Sequence, residues 1–145
     1  MKRETGALLE KAARAIFGGK ILLRRGDTDL ATGLAHLSMC YTARALLIEH
    51  GLRADGRGAV RRAFGERFVK TGEFDPSFYQ QLLDAHDQWI AADDNRVETR
   101  LSVGDVRKTI AQAQAFLLET RRYLALHHRG GQENTGIRRR TSPPQ

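Results

Sequence analysis

Val60-Arg61-Arg62-Ala63-Phe64-Gly65-Glu66-Arg67-Phe68-Val69-Lys70-Thr71-Gly72 is the stretch that decides how the chain folds. Val60, Phe64 and Phe68 recur at intervals of four, which lines one face of a helix, whereas a strand would alternate every second residue. The spacing predicts a short helix that stops near Gly72. Arg53 to Gly58, just upstream, has two glycines and no large apolar side chain, and reads as a connection. Just downstream, Asp75-Pro76 is a start signal: Asp accepts a first-turn N–H, and Pro at the first helical position has no N–H to leave unpaired. A fourth helix follows, with Phe78, Leu82, Ala85 and Trp89 toward the core.

The same reading extends outward. Leu8, Leu9, Ala12, Ala13, Ile16 and Phe17 place a first helix that runs to about Arg25, weakened midway by Gly18 and Gly19. Asp27 or Thr28 caps a second helix, in which Leu30, Leu34, Leu37 and Tyr41 form a stripe widened by Met39, Ala43, Leu46 and Leu47; Gly51 stops it. Asp93 to Arg100 is a polar loop, and Ser102 with Asp105 three positions later forms a capping box. It opens a last helix bearing Val103, Val106, Ile110, Ala113, Leu117 and Leu124, which ends at about His127. No period-two alternation occurs, and the connections are short. The expected fold is all-α, an antiparallel four- to five-helix bundle over residues 1–128. Residues 129–145, rich in Gly, Gln, Ser, Pro and Arg, read as a basic, disordered C-terminal tail.

With 145 residues, 41% of them hydrophobic, the chain can bury one core without staples. The single Cys40 forms no internal disulfide, no Cys/His set has zinc-ligand spacing, and no apolar run reaches the length of a membrane span. These features point to a cytoplasmic protein with no metal, no cofactor and no membrane partner. A net charge of +7, supplied mainly by Arg, favours polyanions: nucleic acid first, an acidic protein second.

Phe64-Gly65-Glu66-Arg67-Phe68-Val69-Lys70-Thr71-Gly72, preceded by Ala43-Arg44-Ala45-Leu46-Leu47 and Gly51-Leu52, resembles the small prokaryotic HEPN domains often encoded beside a minimal nucleotidyltransferase. The resemblance runs from about Leu8 to Leu124. It implies a helical bundle, a homodimer, and a role in RNA cleavage or nucleotide binding in toxin–antitoxin and defence systems, with a nucleotidyltransferase as a possible partner. Active members activate a ribose 2′-hydroxyl with an Arg and a His at the dimer cleft, without metal. Relatives carry an Arg and a Tyr-Tyr pair on the second helix, where this chain has Leu34, His36 and Leu37. They have a His where Arg57 stands, and an Arg then Asp-Tyr where Trp89, Asp93 and Asp94 stand. A cleft built on that pattern would lack its main cation, so catalysis is expected to be degenerate.

An Arg followed at family spacing by a His occurs as Arg44 with His50 and Arg122 with His127. Composition alone yields about two such pairs by chance. Arg122 and His127 are the catalytic candidates if the protein is a ribonuclease. Their ordinary explanation, shared with Arg121 and His128, is that cations near a helix C-terminus meet its unpaired carbonyls. His50 beside Gly51 has the same explanation, and His36 on an apolar stretch reads as a packed core residue. Arg57, Arg61, Arg62, Arg67 and Lys70 form a candidate phosphate-contacting ridge, joined by Arg138, Arg139 and Arg140 in the tail; a solvated face is the alternative. Asp84, Asp87, Asp93 and Asp94 read as surface charge, and Trp89 as core packing.

Three functions follow in order. The first is a divergent module that binds RNA or a nucleic-acid-handling partner in a toxin–antitoxin or defence system. The second is a metal-independent endoribonuclease toxin. The third is an accessory subunit of a larger nucleic-acid-handling defence complex.

Overall fold

The computed structural model describes residues 1–94 and 101–141, with side chains described as far as 127. It contains α1 (Arg3–Arg24), α2 (Thr28–Glu49), α3 (Arg57–Phe64), one π-helical turn (Gly65–Val69), α4 (Pro76–Asp93) and α5 (Val103–Thr141). No strand occurs among the described residues, and no helix there is long and apolar enough to cross a membrane. The expected antiparallel helical bundle is the observed architecture. The boundary suggested at 128/129 falls within α5. The side chains of Arg138, Arg139 and Arg140 lie outside the described residues, as do residues 95–100 of the expected Asp93–Arg100 loop, whose first residue ends α4.

α1 and α2 form a hairpin. Gly26 makes the turn at φ 83°, a conformation costly for a residue with a Cβ, and Asp27 Oδ1 accepts the Leu30 N–H at 3.1 Å to start α2. The far ends are tied as well: Lys2 N and Thr5 Oγ1 each donate to Glu49 Oε1 at 2.9 Å. Gly18 and Gly19 do not weaken the packing but permit it. A Cβ at Gly19 would sit 3.4 Å from Ala31 O, and one at Gly18 would sit 3.2 Å from Leu34.

α2 is the central helix, packed by α1, α3, α4 and α5. This corrects the expected Leu30-Leu34-Leu37-Tyr41 stripe. Leu30 is 54% exposed and the other three are half-buried, while Ala31, Ala35, Met39, Ala43, Leu46 and Leu47 are buried. A helix covered on several sides has no single apolar stripe to read, and its small residues mark where neighbours approach most closely. Gly33 shows this on α4's side: Trp89 lies against it so closely that a Cβ would fall 2.6 Å from the ring. One polar node joins three helices, because Gln88 Oε1 of α4 accepts from Thr32 of α2 and, at 2.8 Å, from Thr109 of α5.

The deciding stretch behaves as its spacing requires. Val60, Phe64 and Phe68 are buried, although the helix widens by one residue between them, with Lys70 N–H reaching Gly65 O at 2.9 Å. Phe64 and Phe68 join Phe74, Phe78, Phe116 and Tyr123 in a cluster of mostly edge-to-face rings. Asp75 caps α4 by accepting from Ser77 N at 2.8 Å, and Ser102 and Asp105 cap α5 reciprocally. Val103, expected in the core, is 40% exposed because it occupies the first turn, before α5 meets its neighbours.

Candidate functional site

At one end of the bundle the C-terminus of α2, the π-helical segment with the turn after it, and α5 bring together His50, Arg67, Thr71, Glu73, Tyr123 and His127. Glu73 is the hub. Its Oε2 accepts from Arg67 Nη1 at 2.6 Å and from Thr71 Oγ1 at 2.8 Å, and its Oε1 accepts from the Tyr123 hydroxyl at 2.7 Å. Burial acts to raise the Glu73 carboxyl, but the bonds from Tyr123, Thr71 and Arg67 outweigh it and hold the group below its ordinary range. The Tyr123 phenol is pushed well above its ordinary value, first by burial and then by the bond to Glu73.

The two histidines of this cluster are oriented alike. His50 Nδ1 lies 2.9 Å from Leu46 O, and His127 Nδ1 lies 3.0 Å from Tyr123 O. A carbonyl only accepts, so each Nδ1 is the donor in these contacts, and each Nε2 is turned to the Tyr123–Glu73 pair. His50 Nε2 lies 3.4 Å from the Tyr123 hydroxyl, and His127 Nε2 lies 3.8 Å from Glu73 Oε1. The rings are 6.3 Å apart, and that of His127 stacks on Tyr123 at 3.9 Å. The set gathers two imidazoles, a phenol and a carboxylate beside the Arg67 cation.

Arg122, which the sequence pairs with His127, turns instead to Glu119 at 3.4 Å on the solvent side of α5. Within one chain the two candidates therefore form no constellation. The cation near His127 is Arg67, by way of Glu73. Arg44 is likewise separated from His50; it lines a cavity with Arg53 and Asp55. The sequence reading missed Glu73, Thr71 and Tyr123. Linear spacing could not have joined residues 73 and 123, although a tyrosine on the buried face of the last helix was a usable sign.

The candidate basic ridge divides three ways. Arg67 is bound to Glu73, Lys70 pairs with Glu66 at 2.7 Å, and Arg62 lines a cavity beside Tyr79. Arg57 and Arg61, one turn apart on α3, instead approach His36 on α2. That histidine is 2% exposed, lies 3.4 Å from Cys40 Sγ through Nε2, and has its ring 5.2 Å from that of His86 on α4. Burial first, then the charges of Arg57, His86 and Arg61, lower its pKa to about 4, and burial pushes the Cys40 thiol up to about 11. His36 Nδ1, His86 Nδ1 and Arg61 Nε are buried without a hydrogen-bond partner among the described residues. Three helices thus converge at His36. What they present here is a neutral imidazole with arginines alongside, and Trp89 is spent on packing against Gly33. Among the described residues, no three His, Cys, Asp or Glu side chains group as metal ligands.

Comparison with known proteins identifies relatives and a family for the chain. The chain is 26% identical over 137 residues to "Putative toxin MJ0142" of Methanocaldococcus jannaschii, an alignment covering 92% of each protein. It is 25% identical over 125 residues to UPF0332 protein glr0978 of Gloeobacter violaceus, covering 86% of this chain and 99% of that one. The family model described as the HEPN domain matches residues 5–123, from the first turn of α1 to Tyr123 in the histidine cluster. With that match over most of its length and the helical bundle to go with it, the chain belongs to the HEPN domain family.

Proposed function

We propose that this protein is the RNA-binding helical module of a toxin–antitoxin or defence system, catalytically degenerate, with residues 1–128 as the bundle and 129–145 as a basic arm. In this reading it acts as a homodimer in the cytoplasm, and Arg57, Arg61, Arg62, Arg138, Arg139 and Arg140 engage phosphates. One observation carries it: Arg57, Arg61 and Arg62 share a short helix and have no carboxylate partner among the described residues, while Arg122 and His127 are engaged with different groups. Arginines with no carboxylate partner among the described residues can turn guanidinium N–H groups to phosphate oxygens, and each contact releases a counterion. The relative named as a toxin supports the setting.

A second reading, a metal-independent ribonuclease, is favoured by the His50–Tyr123–His127 geometry, in which both Nε2 atoms turn toward one hydroxyl–carboxylate pair. Incubating the protein with labelled RNA in EDTA tests the two together. Retention without cleavage is expected, with a log–log salt slope that falls by about 1 for each arginine removed in Arg57→Gln and Arg62→Gln. Cleavage that disappears in a folded His127→Ala variant would refute the binding module and establish the enzyme. No retention at low salt would refute both.

A further inference from the structure

The outer seam between α1 and α5 shares no residue with either histidine cluster and has no cover among the described residues. The helices lie antiparallel there, with Ala13 beside Leu117 at one end and Leu23 beside Val103 at the other. Two cavities of about 290 and 350 Å³ lie along the seam and share Lys20 and Gln114, so they form one groove. From Val103 to Arg121 it is about 27 Å long at 1.5 Å per residue, the length of a five-turn helix. Apolar side chains stand out of it: Phe17 is 65% exposed and Leu118 60%. Cations line it at Lys20, Arg24, Arg107 and Arg121, and no carboxylate lines either cavity.

We propose that this seam is a docking groove for an amphipathic helix of a protein partner, with apolar residues along one face and Asp or Glu on its flanks. Exposed aromatic and aliphatic anchors between two helices are what a third helix buries. The ring of like charge selects the partner. A second copy of this chain meeting the groove by its own groove would bring Lys20, Arg24, Arg107 and Arg121 against themselves, and the Arg138–Arg140 block has the same sign. A nucleic acid would satisfy the cations but leave Phe17 and Leu118 uncovered. An acidic amphipathic helix satisfies both features.

The test uses the full chain and a labelled synthetic helical peptide of about 18 residues, the span of the seam, with Leu at i, i+3, i+4 and i+7 and Glu on the flanks. Its scrambled isomer is the control. Fluorescence anisotropy should show saturable binding of the patterned peptide and not of the scramble, weakened at least about tenfold by Phe17→Ser with Leu118→Ser. Both positions are exposed, so circular dichroism and melting should stay near those of the parent. Lys20→Glu with Arg121→Glu should lose the Glu-flanked peptide and gain a Lys-flanked one. Absence of saturable binding, or equal binding of the scramble, overturns the proposal. So does a dimer that dissociates in the Phe17/Leu118 variant, which would assign the groove to a second copy. RNA affinity lost in the Lys20/Arg121 variant without loss of peptide binding would also overturn it, making the seam a nucleic-acid surface.

Discussion

Acidification should destabilise this protein well above the pH at which carboxylates titrate, and His36 is the reason. In the unfolded chain its imidazole titrates at 6.5; in the fold, buried beside Arg57, His86 and Arg61, it titrates at about 4. A lowered folded pKa means that the unfolded state binds the proton more readily, so stability is full above 6.5 and is lost as pH falls from there toward 4. At about 1.4 kcal/mol per unit, the whole gap is on the order of 3 kcal/mol, a large share of a typical domain's 5–15. By pH 5 about 2 kcal/mol should already be gone, a fall in Tm of several degrees for a domain of this size. Urea unfolding between pH 7 and 4.5, read by helicity, measures the slope. His36→Phe removes the titration and keeps a ring, so its stability should be nearly flat between pH 6.5 and 5, whatever its absolute value. Glu73 and Glu49, held below the ordinary carboxylate range, lose their contributions only at lower pH and do not confuse that window. If the variant and the parent lose stability in parallel between pH 6.5 and 5, the buried neutral imidazole is not the cause and the reasoning fails.

Three further perturbations probe other joints of the fold. Gly33→Ala adds a helix-favouring residue worth about 1 kcal/mol on an exposed helix, yet its Cβ would press on Trp89, so a net loss of about 1–3 kcal/mol is expected, with a changed emission from this single tryptophan. A gain in urea midpoint would show that the ring yields freely. Tyr123→Phe removes one of three side-chain donors to Glu73; about 1–2 kcal/mol should be lost and the Glu73 carboxyl should titrate higher, which carbon-detected NMR can follow. Asp75→Ala strips the cap of α4 and should lower the midpoint of thermal or urea unfolding, while the Pro76 start keeps the helix in place.

Local chemistry wrote most of the helix map into the sequence. The caps at Asp27, Asp75 and Ser102, and the stops at Gly51 and Gly72, act through bonds or dihedrals within a few residues, so they can be read from a few residues. The Val60-Phe64-Phe68 spacing also held, because that short helix buries one face only. The α2 stripe did not hold: which side of a helix is covered depends on how many neighbours it has, and that is a property of the assembled bundle. Gly18 and Gly19 looked like weaknesses for the same reason, since the close approach that uses them appears only when α2 is in place.

The site divides along the same line. The sequence by itself determined the family and the excess of arginine, and it singled out His127 as a candidate, with His50 as a helix-end residue and His36 as a packed core residue. Only the tertiary structure decided their company. It separated Arg122 from His127, joined Tyr123 and His127 to Glu73 across 50 or more residues, and enclosed His36 against His86 where burial and neighbouring cations keep it neutral. Desolvation and charge–charge coupling act through space, so the properties that set a site's chemistry are fixed when helices distant in sequence pack together.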